Sequence, residues 1–339
     1  MTSALVARLD SAGDVLITGP AVRAVANAHR RVTVLVGPRG RSAAELLPRV
    51  DEIVEWQAPW VDFDAPELTA AHAEGLIKQL RDTAPDRAYI FTSFHQSPLP
   101  LALLFRMAGI PWVGAISDDF PGSLLDLRHH VADGVPEPLR ALSLTAAAGC
   151  ALPPGDTGGL RVTAHAQMPA WLARELDGGD FVVFHPGAAV SARRPSAARS
   201  ARMVDALVAA GYRVVVTGGE NERGLTEEVA GARAVDAGGR TDFAELAAVL
   251  AAARVVVAPN TAAAHLAAAV HTPVVSLFAP VVPPSQWAPY GVPVTVLGDQ
   301  NAACRGSRAR VCPLARHTCL DDIADTALLA AVHQWGGRP

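Results

Sequence analysis

Residues 239–269 read GRTDFAELAAVLAAARVVVAPNTAAAHLAAA. Asp242 and Glu245 stand three residues apart at the head of an apolar run, the spacing of a capping box, and predict a helix over 242–253. Arg254 to Ala258, with Val255, Val256 and Val257 in succession, has the length and continuous apolarity of a strand buried on both faces. Pro259 and Asn260 break that run. Asn260 is placed to cap a second helix, predicted over 261–270. A helix, a fully buried strand and another helix in such close order belong to a parallel sheet, because parallel strands need crossover connections. The second helix starts on small residues, Ala262, Ala263 and Ala264. These leave its first N–H groups uncovered, and the helix dipole favours an anion there. Thr261 and His265 lie four apart and share a face near that end. Together they suit a pyrophosphate. The same residues also read as an ordinary capped helix with alanines on the sheet and a half-buried His265.

The alternation extends in both directions. Upstream of Gly239, Phe181–His185 and Tyr212–Thr217 read as strands, with a helix over 199–210 between them. Downstream, Pro273–Phe278 is a strand, and the last helix is expected over 323–335. The first half repeats the pattern. Strands are expected over 5–9, 32–36, 52–55 and 88–92, and helices over 14–28, 66–83 and 99–108. A run rich in Pro and Gly, 152–179, interrupts the rhythm. The expected fold is α/β, with two facing Rossmann-like, doubly wound parallel-sheet domains and a ligand cleft between them. We set the first domain at 1–155, a linker at 156–179, the second domain at 180–320 and a C-terminal helix at 321–339.

Composition bounds the function. The 339 residues suffice for two domains. A net charge of -4 gives no general attraction to nucleic acid. Lys78 is the sole lysine, so positive charge is carried by arginine, whose fork suits phosphate. No apolar run reaches the roughly 20 residues of a membrane span, and Met1–Arg8 lacks signal-peptide character. A cytoplasmic enzyme is expected, with Cys150, Cys304, Cys312 and Cys319 as reduced thiols.

Three further strand ends carry chemistry. In Arg8-Leu9-Asp10-Ser11-Ala12-Gly13-Asp14, a strand enters a helix through a turn that Gly13 permits, and Asp14 stands at the helix start. A carboxylate there can accept a proton, or merely cap. His185-Pro186-Gly187-Ala188-Ala189 leads to Arg193 and Arg194, which suit a leaving diphosphate or form a solvated basic loop. Thr217-Gly218-Gly219-Glu220-Asn221-Glu222 lets a nucleoside approach the backbone, with a carboxylate for ribose hydroxyls. Asp62-Phe63-Asp64, Asp118-Asp119 and Asp321-Asp322 read as solvated pairs. Cys304, Cys312, His317 and Cys319 lack any Cys-x-x-Cys pair, and the 300–319 region reads as a loop under the final helix instead of a zinc site.

In this order and spacing, the RLDSAGDVL start, the HPGA loop, VVVTGGENE, residues 239–269, PVVSLFAP and APYG resemble glycosyltransferase family 9, the heptosyltransferases of the GT-B superfamily. The resemblance implies inverting transfer of a sugar, by default heptose from ADP-heptose, to a hydroxyl acceptor without a metal or other cofactor. It implies Asp14 as general base. It places Asn260, Thr261, Ala262 and His265 at the diphosphate, Glu222 at the nucleoside, and Arg193 near the phosphates. Gly13, Gly187, Thr217, Gly218 and Gly219 complete the donor side. The segment 92–98, with 120–123, resembles the acceptor side, so His95 and Gln96 are expected to meet the acceptor. That acceptor is a glycan, a glycolipid or a small molecule, and peripheral membrane contact is compatible with it. The family usually carries Asp-Thr/Ser-Gly where this chain has Asn260-Thr261-Ala262. It often has Lys-Arg-Trp-Pro where this chain has Ala192-Arg193-Arg194-Pro195. These departures leave the donor's base and sugar open. Two alternatives stay open beside transfer: a nucleotide-sugar epimerase on a similar paired fold, and a decayed sugar-nucleotide-binding protein.

Overall fold

The structure is a computed structural model that describes residues 2–61, 64–163 and 166–337. The chain divides into two compact units, Met1–Thr163 and Ala164–Pro339. Asp62 and Phe63, two of the three residues in the discounted acidic pair, lie outside the described residues.

The first unit holds strands β1 (Ser3–Arg8), β2 (Arg31–Val36), β3 (Glu52–Glu55), β4 (Arg87–Ile90), β5 (Trp112–Ile116) and β6 (Leu127–His129). Its helices are α1 (Ala12–Ala28), α2 (Arg41–Ala44), α3 (Ala70–Thr83), α4 (Leu99–Ala108) and α5 (Glu137–Ala147). All strand pairs are parallel, in the order β3-β2-β1-β4-β5-β6. β1 is central, with Val6 opposite Val34 on one side and Tyr89 on the other. That position explains why its sequence is a continuous apolar run. On one face Leu5, Leu35 and Ile90 pack with Leu76, Leu80 and Phe105 from α3 and α4. The other face is covered by α1, buried at every position from Val15 to Ala26 and packed against α5.

The second unit repeats the plan. Helix α6 (Ala170–Leu176) precedes β7 (Val182–Phe184), α7 (Ala197–Ala209), β8 (Val214–Val216), α8 (Arg223–Ala230) and β9 (Val235–Asp236). Then come α9 (Phe243–Ala252), β10 (Val255–Pro259), α10 (Ala262–Ala269), β11 (Val274–Leu277), α11 (Pro284–Trp287) and β12 (Val294–Leu297). Helices α12 (Thr318–Asp321) and α13 (Asp325–Gly336) finish the chain. The parallel sheet runs β12-β11-β10-β7-β8-β9. Phe184, Val216, Val257 and Leu277 form a core with Met203 of α7 and Leu328 of α13.

Counted from the start of each unit, both sheets have the strand order 3-2-1-4-5-6. That is the doubly wound arrangement expected from the sequence, and its order reverses between β1 and β4 and between β7 and β10. Ligands of such sheets bind beyond the carboxyl ends of the strands at these reversals. The residues just after β1, β4, β7 and β10 therefore matter most.

Several boundaries differ from the sequence reading. Helix α3 starts at Ala70, not Pro66, because the Thr69 side chain accepts a hydrogen bond from the His72 N–H at 3.2 Å and fixes the start. Helix α1 starts at Ala12. Gly13 is its second residue and takes no left-handed φ, so it is not the turn residue expected. The cap of α10 is Thr261, not Asn260, which still belongs to the preceding turn. Residues up to Thr163 belong with the first unit, where the Thr163 N–H donates to the Leu46 carbonyl at 2.8 Å. Within 156–179 the chain also forms α6. The 300–319 region is mostly turns, and Cys304 and Cys319 enter the core beside α13. Among the described residues, no helix is long and apolar enough to cross a membrane.

Candidate active site

Each reversal point carries a polar cluster. In the first unit its centre is Arg8, the last residue of β1, which is 3% exposed. The Arg8 Nε lies 2.8 Å from Asp10 Oδ2. The Arg8 Nη2 lies 2.9 Å from Asp14 Oδ1 and donates to the Ser93 hydroxyl at 3.0 Å. Ser93 follows β4, so one guanidinium ties the two strand ends together. Asp10 also accepts a hydrogen bond from Gln96 Nε2 at 2.7 Å, and the Gln96 Oε1 accepts from the Ser93 N–H at 3.2 Å.

Asp14 is the third residue of α1. Its Oδ2 accepts from the Ser11 hydroxyl at 2.6 Å and from the Ser11 N–H at 3.2 Å, closing a capping box. Helix start and catalytic candidate are thus the same carboxylate. The box and the Arg8 contact together fix its rotamer.

Behind this group stands Glu137, the first residue of α5, only 2% exposed. Its Oε2 is 3.8 Å from Arg140 Nη1, and that nitrogen also donates to the Thr92 carbonyl at 3.0 Å. Burial pushes the Glu137 carboxyl above the usual carboxylate range, against the opposing pull of Arg8 and Arg140. Asp10 is raised for the same first reason, with Arg8 and Gln96 opposing and Asp14 adding to it. For Arg8, burial alone would lower the pKa, but Asp10, Asp14 and Glu137 outweigh it. Three carboxylates therefore surround one permanently charged guanidinium.

The second unit presents two loops at its reversal point. After β7, His185 is buried, and its Nδ1 is hydrogen-bonded to the Thr217 hydroxyl at 3.1 Å. Its Nε2 lies 4.0 Å from Glu222 Oε2. Burial holds the His185 pKa below the ordinary histidine value despite Glu222, so the ring is neutral at pH 7. Glu222 also accepts from the Gly219 N–H at 2.9 Å. Its carboxylate lies over Gly187: a Cβ there would sit 2.1 Å from Glu222 Oε1. Gly187, Thr217, Gly219 and Glu222 are thus brought together. At Gly218 a Cβ would sit 2.6 Å from the Thr226 Cγ2, so this glycine serves the packing of α8.

Beyond β10 the chain turns at Asn260 and enters α10. Asn260 is 5% exposed, and its Nδ2 has no hydrogen-bond partner among the described residues. Thr261 caps through its backbone, without a side-chain cap bond. The first intrahelical N–H to bond is that of Ala264, which donates to the Thr261 carbonyl at 3.1 Å. The N–H groups of Ala262 and Ala263 precede it at the positive end of the helix. Ala262 has no left-handed φ, so alanine fits the position without strain. His265 is 4% exposed on the same helix. Arg193 is half-buried in a 3₁₀ turn (Ser191–Arg193) that is held where the Ala192 N–H donates to the Arg310 carbonyl at 3.0 Å.

The family model for glycosyltransferase family 9 (heptosyltransferase) matches residues 74–317. The chain belongs to this family. Over 117 residues it is 36% identical to lipopolysaccharide heptosyltransferase 3 of Escherichia coli, a match covering 32% of this chain and only about a third (34%) of that relative. The structure of E. coli ADP-heptose lps heptosyltransferase II superposes with a TM-score of 0.75 at 19% identity, covering 99% of this chain and 98% of that one. A more distant fold neighbour is the iron-containing dodecameric glycosyltransferase TibC of enterotoxigenic E. coli. It has a TM-score of 0.54 and 13% identity, covering 98% of this chain and 76% of that one. Among the described residues of the present chain, no group of three or more His, Cys, Asp or Glu is arranged to hold a metal ion.

Of the two residues expected at the acceptor, Gln96 is engaged with Asp10, while His95 is exposed and set edge-to-face on Phe94 at 5.3 Å. Sequence reasoning missed Arg8, Asp10, Ser93, Glu137 and Arg140 as site residues. Arg8 and Asp10 stood within the quoted start motif, but their burial is a tertiary fact. Glu137 had a local signal, a Pro-Glu-Pro helix start, that was passed over.

Proposed function

We propose that this chain is an inverting glycosyltransferase that takes a sugar from a nucleotide diphosphate donor without a metal ion. The observation that carries the proposal is the start of α10. There the buried Asn260 Nδ2, with no hydrogen-bond partner among the described residues, stands beside helix N–H groups at the reversal between β7 and β10. A diphosphate would satisfy all of these donors, and Arg193 and His265 would offset its charge as it leaves. Glu222, locked by Gly219 and packed on Gly187, would hold the ribose hydroxyls.

In the reaction, the acceptor oxygen forms a bond to the anomeric carbon as the bond to the diphosphate oxygen breaks. The diphosphate departs with the electron pair, and the acceptor proton passes to Asp14. Asp14 is already paired with Arg8, and proton transfer to it runs late, when the attacking oxygen is already acidic. Family membership and the ADP-heptose named for heptosyltransferase II support ADP-heptose as the first donor to try. A glycan or glycolipid acceptor, met near His95, fits the same family. We place the reaction in the cytoplasm, where thiols such as the chain's free cysteines stay reduced.

The test is a screen of nucleotide sugars with nucleotide release as readout, run on wild type and Asp14→Ala in parallel. Release that depends on an acceptor and is lost in the variant supports transfer. Isomerised donor without an acceptor shows an epimerase instead, and binding without turnover shows a sugar-nucleotide-binding protein.

A further inference from the structure

The first unit holds a cationic cavity that the proposed reaction does not use. It has a volume of about 350 Å³ and is lined by Arg23 and Asn27 of α1, by Arg49, and by Asp156 and Arg161. Arg23 comes nine residues after Asp14 on the same helix, which places it about 13 Å further along the axis. Because α1 runs back from the carboxyl end of β1, this cavity belongs to the opposite edge of the sheet.

Arg23 is 4% exposed and spends its fork on Asp156, with Nε 2.6 Å from Oδ2 and Nη2 2.9 Å from Oδ1. Its Nη2 also donates to the Gly159 carbonyl at 2.8 Å. The remaining nitrogen, Nη1, is buried and has no hydrogen-bond partner among the described residues. An unmet buried donor on a charged group is costly. Asp156 is fully engaged, since it also accepts from the Gly158 N–H at 2.9 Å. The Arg23 hydrogen bonds hold its pKa down at about 2, with the Gly158 N–H and the nearby Arg161 adding to the effect. One carboxylate therefore faces three guanidinium groups, leaving two positive charges in a chain whose net charge is -4. Arg49 is held at φ 68°, a left-handed conformation that is strained for a non-glycine residue. Strain of this kind concentrates at ligand clamps.

We propose that this cavity binds a phosphate dianion, either free or as a soluble phosphomonoester, between Arg23, Arg49 and Arg161. The dianion matches the two unbalanced charges, and its oxygens supply acceptors for Arg23 Nη1 and for the two outer forks. The bound group would join α1 to the segment 153–161, which leads directly to Thr163, the last residue of the first unit.

The experiment titrates inorganic phosphate against the full chain by calorimetry and thermal melting, at constant ionic strength in chloride. Saturating ADP is present to fill the nucleotide site. Wild type is compared with Arg49→Gln, Arg161→Gln and the double variant. These two arginines are exposed, so the variants fold whatever becomes of Arg23. The expected result is saturable phosphate binding that raises the melting temperature and weakens about tenfold or more for each arginine removed. Binding that is absent, or equal in wild type and the double variant, overturns the site. A second arm uses vesicles containing phosphatidic acid. Arginine-dependent binding to vesicles, with none to inorganic phosphate, would show a lipid headgroup as the occupant and overturn the soluble ligand.

Discussion

Gly187→Ala probes the donor side through a single methyl group. The new Cβ would lie 2.1 Å from Glu222 Oε1, 2.4 Å from its Cδ and 2.5 Å from Oε2, so the carboxylate has to leave. Glu222 is a long side chain that can swing outward, which spares the fold. What it forfeits is its hydrogen bond from the Gly219 N–H and its place beside His185. A hydrogen bond to a charged group contributes about 1.5–3 kcal/mol, and partial exposure of this one puts the stability loss near the lower end. Donor affinity should fall about tenfold or more, because each tenfold corresponds to about 1.4 kcal/mol and the ribose loses a charged acceptor. The assay is a double-mutant cycle with Glu222→Ala, read by calorimetric titration of ADP. If displacement of Glu222 is the cause, Gly187→Ala costs little affinity in the Glu222→Ala background. Equal losses in both backgrounds would refute the reasoning, as would unchanged ADP affinity in Gly187→Ala alone.

Four further outcomes follow from the same geometry. Arg8→Gln leaves a buried cluster of carboxylates without its cation. It should destabilise the fold by about 3–5 kcal/mol in urea unfolding, and a loss under about 1 kcal/mol would show that Arg8 is not central. Glu137 has a folded pKa raised mainly by burial, so its contribution is present at low pH and is lost as pH rises through the folded value. Glu137→Gln should match wild-type stability below the ordinary glutamate range and gain on it as pH rises above that range; a gap independent of pH would contradict this. Asp156 is the opposite case. Its pKa of about 2 means its contribution is fully present above the ordinary carboxylate range and disappears as pH falls through 2, so Asp156→Asn should destabilise at pH 7 but not at pH 1.5. Chelators should leave turnover intact, and a loss that magnesium or manganese restores would remove the metal-free mechanism.

How far the sequence could be read depended on which forces set each feature. Both sheets were legible because strands such as Val255–Pro259, buried on both faces, are written as unbroken apolar runs. The start of α9 was legible because the capping box of Asp242 and Glu245 is local. The edge strands β6, β9 and β12 were missed, as was the inner strand β5, whereas the edge strand β3 was expected at its observed bounds. β6 and β9 are short and half-buried, so neither alternation nor apolarity marks them. Gly187 was singled out as a loop glycine, but its reason, the carboxylate of Glu222 lying over it, depends on a contact between distant residues. The Arg8 cluster shows the same limit. Arg8, Asp10, Ser93 and Glu137 are scattered over 130 residues of chain, and only parallel pairing of β1 with β4 and the docking of α5 bring them together.

The most direct measurement is a crystal structure of the full chain with ADP. The account predicts diphosphate oxygens within hydrogen-bonding distance of the Ala262 or Ala263 N–H and of the Asn260 amide, with the ribose at Glu222. A diphosphate bound away from residues 260–265 would contradict it.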